Sequence, residues 1–203
     1  MVQYSAPPDA VIEDRLPRLV KAWDQDAVLT VQSSSTGGAA VLLLGVVGDR
    51  LQPLAESAPI GISQRWLNPI GVADFDGDGQ VEIAAVETPH IGGHLLIYKI
   101  EGRRLREVGR FAGYTNHILG STELEMSAVL DVNGDGIPDI VLPSQDRREL
   151  RVVTFAKGNL AILRTIKLYR PVTTALVTAD VDRNGKTDIV FGDQGGFVNV
   201  ILR

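Results

Sequence analysis

The 203-residue chain contains no cysteine, which excludes disulfide stapling, thiolate metal ligation and a cysteine nucleophile. Aromatic residues make up only 5%, so aliphatic side chains must fill whatever core the chain builds. No apolar run approaches the roughly 18 residues of a membrane span. The longest, Ala39 to Val47, is the length of a strand, and no membrane insertion is expected. The opening residues, MVQYSAPPDAVIED, lack a basic stretch followed by an apolar one, so no signal peptide is expected in this chain. Neither a GxSxG elbow, a Walker loop, an HExxH helix nor a dinucleotide fingerprint is present. Basic charge is also scarce. Twenty Lys and Arg face 25 Asp and Glu, for a formal charge of −5, which argues against nucleic acid as a partner.

What is present is repetition. GVADFDGDGQVEIAAV from Gly71, AVLDVNGDGIPDIVLP from Ala128 and VTADVDRNGKTDIVFG from Val177 align without gaps. Each is an alternating apolar strand, an acidic loop and a second β-branched strand. The loops recur about every 50 residues, a period that suits a four-stranded repeat unit. Short runs of period two lie between them, such as HLLIYKI from His94, RLREVGRF from Arg104, LRVVTF from Leu150 and LAILRTIKL from Leu160, and no long helix is needed. A weaker unit lies upstream, where RLVKAWDQDAVLTVQSS from Arg18 reads as strand, shortened acidic loop and strand.

The acidic loops place oxygen ligands at positions one, three, five, seven and nine. In loop one these are Asp74, Asp76, Asp78, the Gln80 carbonyl and Glu82. In loop two they are Asp131, Asn133, Asp135, the Ile137 carbonyl and Asp139. In loop three they are Asp180, Asp182, Asn184, the Lys186 carbonyl and Asp188. Position six is glycine each time, Gly79, Gly136 and Gly185, as a sharp turn around an ion requires. Hard oxygen donors without His or Cys suit Ca²⁺ rather than zinc or copper. An EF-hand would need a bidentate Glu at position twelve and a following helix. Here that position is Ala85, Leu142 or Phe191, and strand sequence follows at once.

These loops and their spacing resemble the FG-GAP or VCBS repeats of integrin α-chain propellers. The resemblance is good from about residue 66 to 203 and poor before that. It implies an all-β fold, a β-propeller or part of one, with about four four-stranded blades. It places a Ca²⁺ loop between the first and second strand of a blade. On that reading residues 1–17 are an extension that could close the last blade, and 18–65 form a blade without a metal loop. Residues 66–117 and 118–169 form blades with Ca²⁺ loops, and 170–203 an incomplete one. Up to three structural Ca²⁺ ions are expected, because ten carboxylates crowded into three turns repel one another without a cation. Glu82 in place of aspartate lengthens one ligand, and Arg183 and Lys186 make loop three the weakest expected site. The family likeness also implies a secreted, periplasmic or cell-surface location.

The implied function is a non-catalytic binding or adhesion module for a protein or carbohydrate ligand. The alternative is a polysaccharide-active lyase or hydrolase on the same scaffold, for which Glu123 and Glu125 are the nearest approach to a carboxylate pair. The ligand face is expected at the strand ends opposite the acidic loops. Candidate residues there are Trp66, His90, His94, Tyr114, His117, Arg147 and Arg170, with Arg65, Asn68 and Gln145 beside them.

Overall fold

Alternating aliphatic runs punctuated by glycine turns fold here as antiparallel meanders, because each strand leaves two rows of backbone groups that only neighbouring strands can satisfy. The computed structural model describes residues 1–203 and contains 16 strands and a single 3-10 turn, Ala156–Gly158. The chain is all-β.

Four units follow in order. The first comprises β1 (Ala10–Ile12), β2 (Arg18–Ala22), β3 (Gln25–Ser34), β4 (Gly38–Val47) and β5 (Arg50–Ser57). The second is β6 (Leu67–Ala73), β7 (Glu82–Glu87), β8 (His94–Glu101) and β9 (Arg104–Ala112). The third is β10 (Ala128–Leu130), β11 (Asp139–Pro143), β12 (Glu149–Thr154) and β13 (Ala161–Lys167), and the last is β14 (Val177–Ala179), β15 (Asp188–Gly192) and β16 (Val198–Ile201). Within a unit, consecutive strands from β2 onward pair antiparallel.

Two pairings depart from the sequence reading. The stretch expected to close the last unit instead supplies β1, which pairs with Gln32 to Ser34 of β3. The reason is length. β3 has ten residues and β2 only five, so β2 satisfies the first half of that edge and β1 the second. The other departure is a short parallel bridge, Glu56 with Arg104 and Ser57 with Leu105, which joins the outermost strands of the first two units into one nine-stranded sheet.

The units stack face to face, and side-chain alternation decides which core each residue enters. Ile83 and Ala85 of β7, with Leu96 and Tyr98 of β8, face Leu29, Val31, Val41 and Leu43 of the first unit. Their neighbours Ala84, Val86, Leu95 and Ile97 point the other way, onto Ile140, Leu142 and Val153 of the third unit. Val141, Leu150 and Val152 then pack on Ile189 and Phe191 of the last unit. The middle strands are buried on both faces and read as unbroken apolar runs; β11 is fully buried along all five residues.

Innermost strands are tied by a polar knot. Arg18 bonds Asp14 at 2.7 Å and donates to Asn68 Oδ1 at 3.1 Å. Asn68 is completely buried and donates to the Leu124 carbonyl at 2.8 Å, which carries the link to the entry of the third unit. Because strand direction alternates, every acidic loop lies at one end of the strands, and the turns after β7, β9 and β11 lie at the other.

Candidate functional site

The acidic end is built from backbone amides captured by aspartates. In loop one, Asp74 accepts from the Gly77, Asp78 and Gly79 amides at 2.8 to 3.1 Å. Asp131 accepts from Gly134 and Gly136, and Asp180 from Asn184 and Gly185. These bonds curl each loop into the same turn, and the position-six glycines sit at φ 84 to 87°, which a Cβ would oppose. The amides hold Asp131 below the usual carboxylate range, the Gly136 N–H most strongly.

The ninth-position acids Glu82, Asp139 and Asp188 are all 0% exposed. One oxygen of each accepts a backbone N–H, from Phe75, Val132 and Val181 respectively. The other oxygen of Glu82 and of Asp139 is buried without any hydrogen-bond partner. Burial, with Asp76 adding repulsion, pushes the Glu82 carboxyl up to about 7, and burial raises Asp139 as well. A buried, partnerless carboxylate oxygen costs on the order of 1–3 kcal/mol or more. Asp74, Asp76 and Asp78 bring ligand atoms within 4.8 Å of one another, as do Asp180, Asp182 and Asp188; loop two, with Asn133 in the set, forms no such carboxylate trio. The donors are all hard oxygens, and the orphaned ones are anionic, so the residues fit a hard divalent cation.

Loop one has a feature the spacing did not reveal. Lys99, on the neighbouring β8, lies 2.7 Å from Asp76, 2.6 Å from Asp78 and 3.7 Å from Glu82. Hydrogen bonds to Asp76 and then Asp78 raise its own proton affinity. A side-chain cation thus partly neutralises the loop that carries the most carboxylates.

At the opposite end a cavity of about 390 Å³ opens between the turns of the second and third units. Trp66, His90, His117 and Arg147 line it together with Arg65 and Gln145. Trp66 stacks on His90 with centroids 6.0 Å apart and meets His117 edge-on at 4.9 Å. His117 Nε2 faces the Ser121 carbonyl at 3.1 Å; a carbonyl only accepts, so this nitrogen carries the proton. Its Nδ1 then accepts from His90 Nε2, with which it is in contact. Burial holds both imidazoles below the ordinary histidine range.

The remaining candidates lie elsewhere. His94 is half-buried, its Nδ1 3.9 Å from Glu87. Tyr114 is wholly buried in the core between the second and third units, with the Arg151 guanidinium 5.4 Å above its ring. Arg170 stacks on Tyr169 and Phe197 in the last unit, 4.7 Å from each centroid. Glu123 and Glu125 do not line the cavity; Glu123 instead accepts the backbone N–H of Glu125 at 2.7 Å.

Residues 131–191 match a family described as an FG-GAP-like repeat. This segment is similar to an FG-GAP repeat. No curated protein matches the chain as a relative. The matched span runs from the first residue of loop two through loop three to Phe191, and loop one shares with both the capture of the position-six glycine amide by the first aspartate. Missed by sequence reasoning were the cavity's other walls, Gln64, Thr88 and Ile118 among them. They carry no pattern of their own; only the stacking of two units brings them together.

Proposed function

We propose that the chain is a calcium-stabilised β-propeller module that binds a protein or carbohydrate ligand without transforming it, in a secreted, periplasmic or cell-surface setting. The observation that carries this reading is the pair of buried oxygens on Glu82 and Asp139 that accept no hydrogen bond, the first of them with only the Lys99 ammonium near it at 3.7 Å. A divalent cation would satisfy them, tie the first strand of each blade to the second, and convert binding energy into folding energy. The FG-GAP resemblance supports the blade reading, and so does the stacking of the sheets through alternating faces. Binding rather than glycoside hydrolysis is favoured because the cavity at the other end has no Asp or Glu among its lining residues, so the carboxylate pair that such hydrolysis uses is missing there.

Thermal unfolding with and without Ca²⁺ tests the metal half of the proposal. At about 100 times its dissociation constant each bound ion adds roughly 2.7 kcal/mol, so three ions add about 8 kcal/mol. For a chain of this length that corresponds to a rise of roughly 15–30 °C in melting temperature. A melting temperature indifferent to both chelator and calcium rejects it.

A further inference from the structure

The chain as a whole is acidic, yet the 13 residues that line the cavity include two arginines, two histidines and not one Asp or Glu. Neither arginine is spent inside the fold. Arg65 makes no side-chain hydrogen bond or ion pair. Arg147 donates through Nη1 to the Val172 carbonyl at 2.7 Å, which orients the guanidinium while leaving its other N–H groups free. Burial lowers the proton affinity of Arg147, and the neighbouring Asp146 offsets this only in part, through space. Arginines without an ion pair in a concave, half-buried site are a receptor for an anion, and the planar fork of arginine matches a carboxylate.

Backbone strain converges on the same place. Six non-glycine residues have positive φ, and three of them line this cavity: Gln64 at 60°, Thr88 at 45° and Arg147 at 60°. The left-handed region is uncommon for any side chain and an outlier for a β-branched one such as threonine. Such strain persists only where the surroundings enforce it, and it gathers at ligand clamps. The turn that holds Arg147 is enforced by its own N–H on the Ser144 carbonyl at 2.8 Å and by its carbonyl, which accepts from the Val172 amide at 3.0 Å.

The shape selects among anions. The volume lies in the range of about 300–1,000 Å³ typical of small-ligand pockets. The walls are turns, with no free strand edge or long groove on which a peptide could be laid. Trp66 and the two imidazoles supply flat, amphipathic surface of the kind that packs on a sugar ring. Gln145 is anchored through Nε2 to the Pro89 carbonyl at 2.8 Å, and its carbonyl oxygen has no partner, as is true of Trp66 Nε1. One unmet acceptor and one unmet donor therefore belong to residues of the same cavity, where ligand hydroxyls could answer them after small side-chain rotations.

We propose that this cavity binds a uronate, an acidic sugar residue, with its carboxylate received by Arg147 and Arg65 and its ring set against Trp66, His90 and His117. The inference deepens the reading of the chain as a binding module and rests on it.

The chain has two tryptophans, and Trp23 lies in the hairpin at the opposite end, so W23F leaves Trp66 as the sole indole reporter. Full-length W23F protein in Ca²⁺ is titrated with D-galacturonate, D-galactose and acetate, followed by Trp66 emission and by calorimetry. Galacturonate is expected to saturate, with galactose and acetate each at least about ten-fold weaker, a gap of about 1.4 kcal/mol. R147Q and, separately, R65Q are expected to weaken galacturonate by about five-fold or more while leaving galactose unchanged. Equal affinity for galactose would show that charge is not read, equal affinity for acetate that the ring is not read, and absence of saturation that no such site exists; each overturns the proposal. Two variants are used so that a folding defect in R147Q leaves R65Q to decide. Uronate binding by a protein whose melting is blind to calcium would sink the metal reading alone, and calcium-dependent melting without uronate binding would sink this proposal alone.

Discussion

At one end of the strands, ten carboxylates are folded into three nearly identical turns; at the other, a cavity lined by two arginines and two histidines contains none. The same strands connect the two. The acidic end is made of local segments, each complete within nine residues, and on the proposed reading it takes a cation. The basic end is made of turns from two stacked units and the strand that enters the first of them, and its unmet demand is for an anion. Repeat architecture separates these roles because antiparallel strands return the chain to the same two ends in every unit. A repeated motif placed once per unit therefore collects at one end, and the variable turns collect at the other.

The comparison predicts that the two ends are energetically separable, and the largest test is chelation. Removing calcium is expected to lower the melting temperature of R147Q by the same roughly 15–30 °C as the parent, since Arg147 lies a strand's length from any loop. A chelator response that changes in R147Q breaks the separation.

A second expected effect concerns pH at the acidic end. Glu82 titrates near 7 in the fold, above the ordinary value for glutamate, so in chelator the folded state favours its protonated form. That stability is fully present below about pH 4.5 and is lost as pH rises through about 7. Burial of His90 and His117 acts in the opposite direction, since their neutral forms are favoured and acid weakens the fold. The Glu82 contribution is isolated by comparison with E82Q: the parent should lose stability relative to E82Q as pH rises from about 4.5 to 7. A constant difference between the two melting temperatures across that range refutes it.

Smaller effects separate the loops from one another. Lys99 occupies part of loop one as an internal cation, so K99M should tighten calcium binding there. The gain follows from removing a unit charge at about 4 Å in a watery site, about 1 kcal/mol or roughly five-fold. Calcium titration of K99M, with loops two and three as internal references, checks it. Unchanged or weaker binding would mean that Lys99 supports the loop instead of competing for it.

The smallest effect belongs to loop three. Position four is glycine in loops one and two, Gly77 and Gly134 with φ 77° and 82°, but Arg183 with φ 63° in loop three. R183G should relieve about 1 kcal/mol of left-handed strain and raise the chelated melting temperature by roughly 2–4 °C.

Much of the acidic end was legible from residues alone. Asp, Asn and Gly at fixed offsets dictate a turn whose first aspartate accepts amides from the turn itself, so Asp74, Asp131 and Asp180 could be placed without knowing the rest of the fold. Lys99 was not legible, because its place in loop one depends on the register of β8 against β7, where it stands opposite Glu82. The cavity was only half legible. Strand direction put Trp66, His90, His117 and Arg147 at one end, but Tyr114, assigned to the same end, turned inward to fill the core between units. Along an alternating segment, inside and outside are set by the neighbouring sheet and not by the residue.

By itself, then, the sequence determined the all-β class, the repeat period and the three oxygen-lined turns, since these rest on interactions between residues close along the chain. Tertiary structure alone decided that β1 completes the edge of β3, that Lys99 enters loop one, and that unpaired arginines and strained turns from distant segments share one cavity. Those outcomes depend on which edges and faces remain unsatisfied once the units stack. That is a property of the assembled sheets, and no single segment carries it.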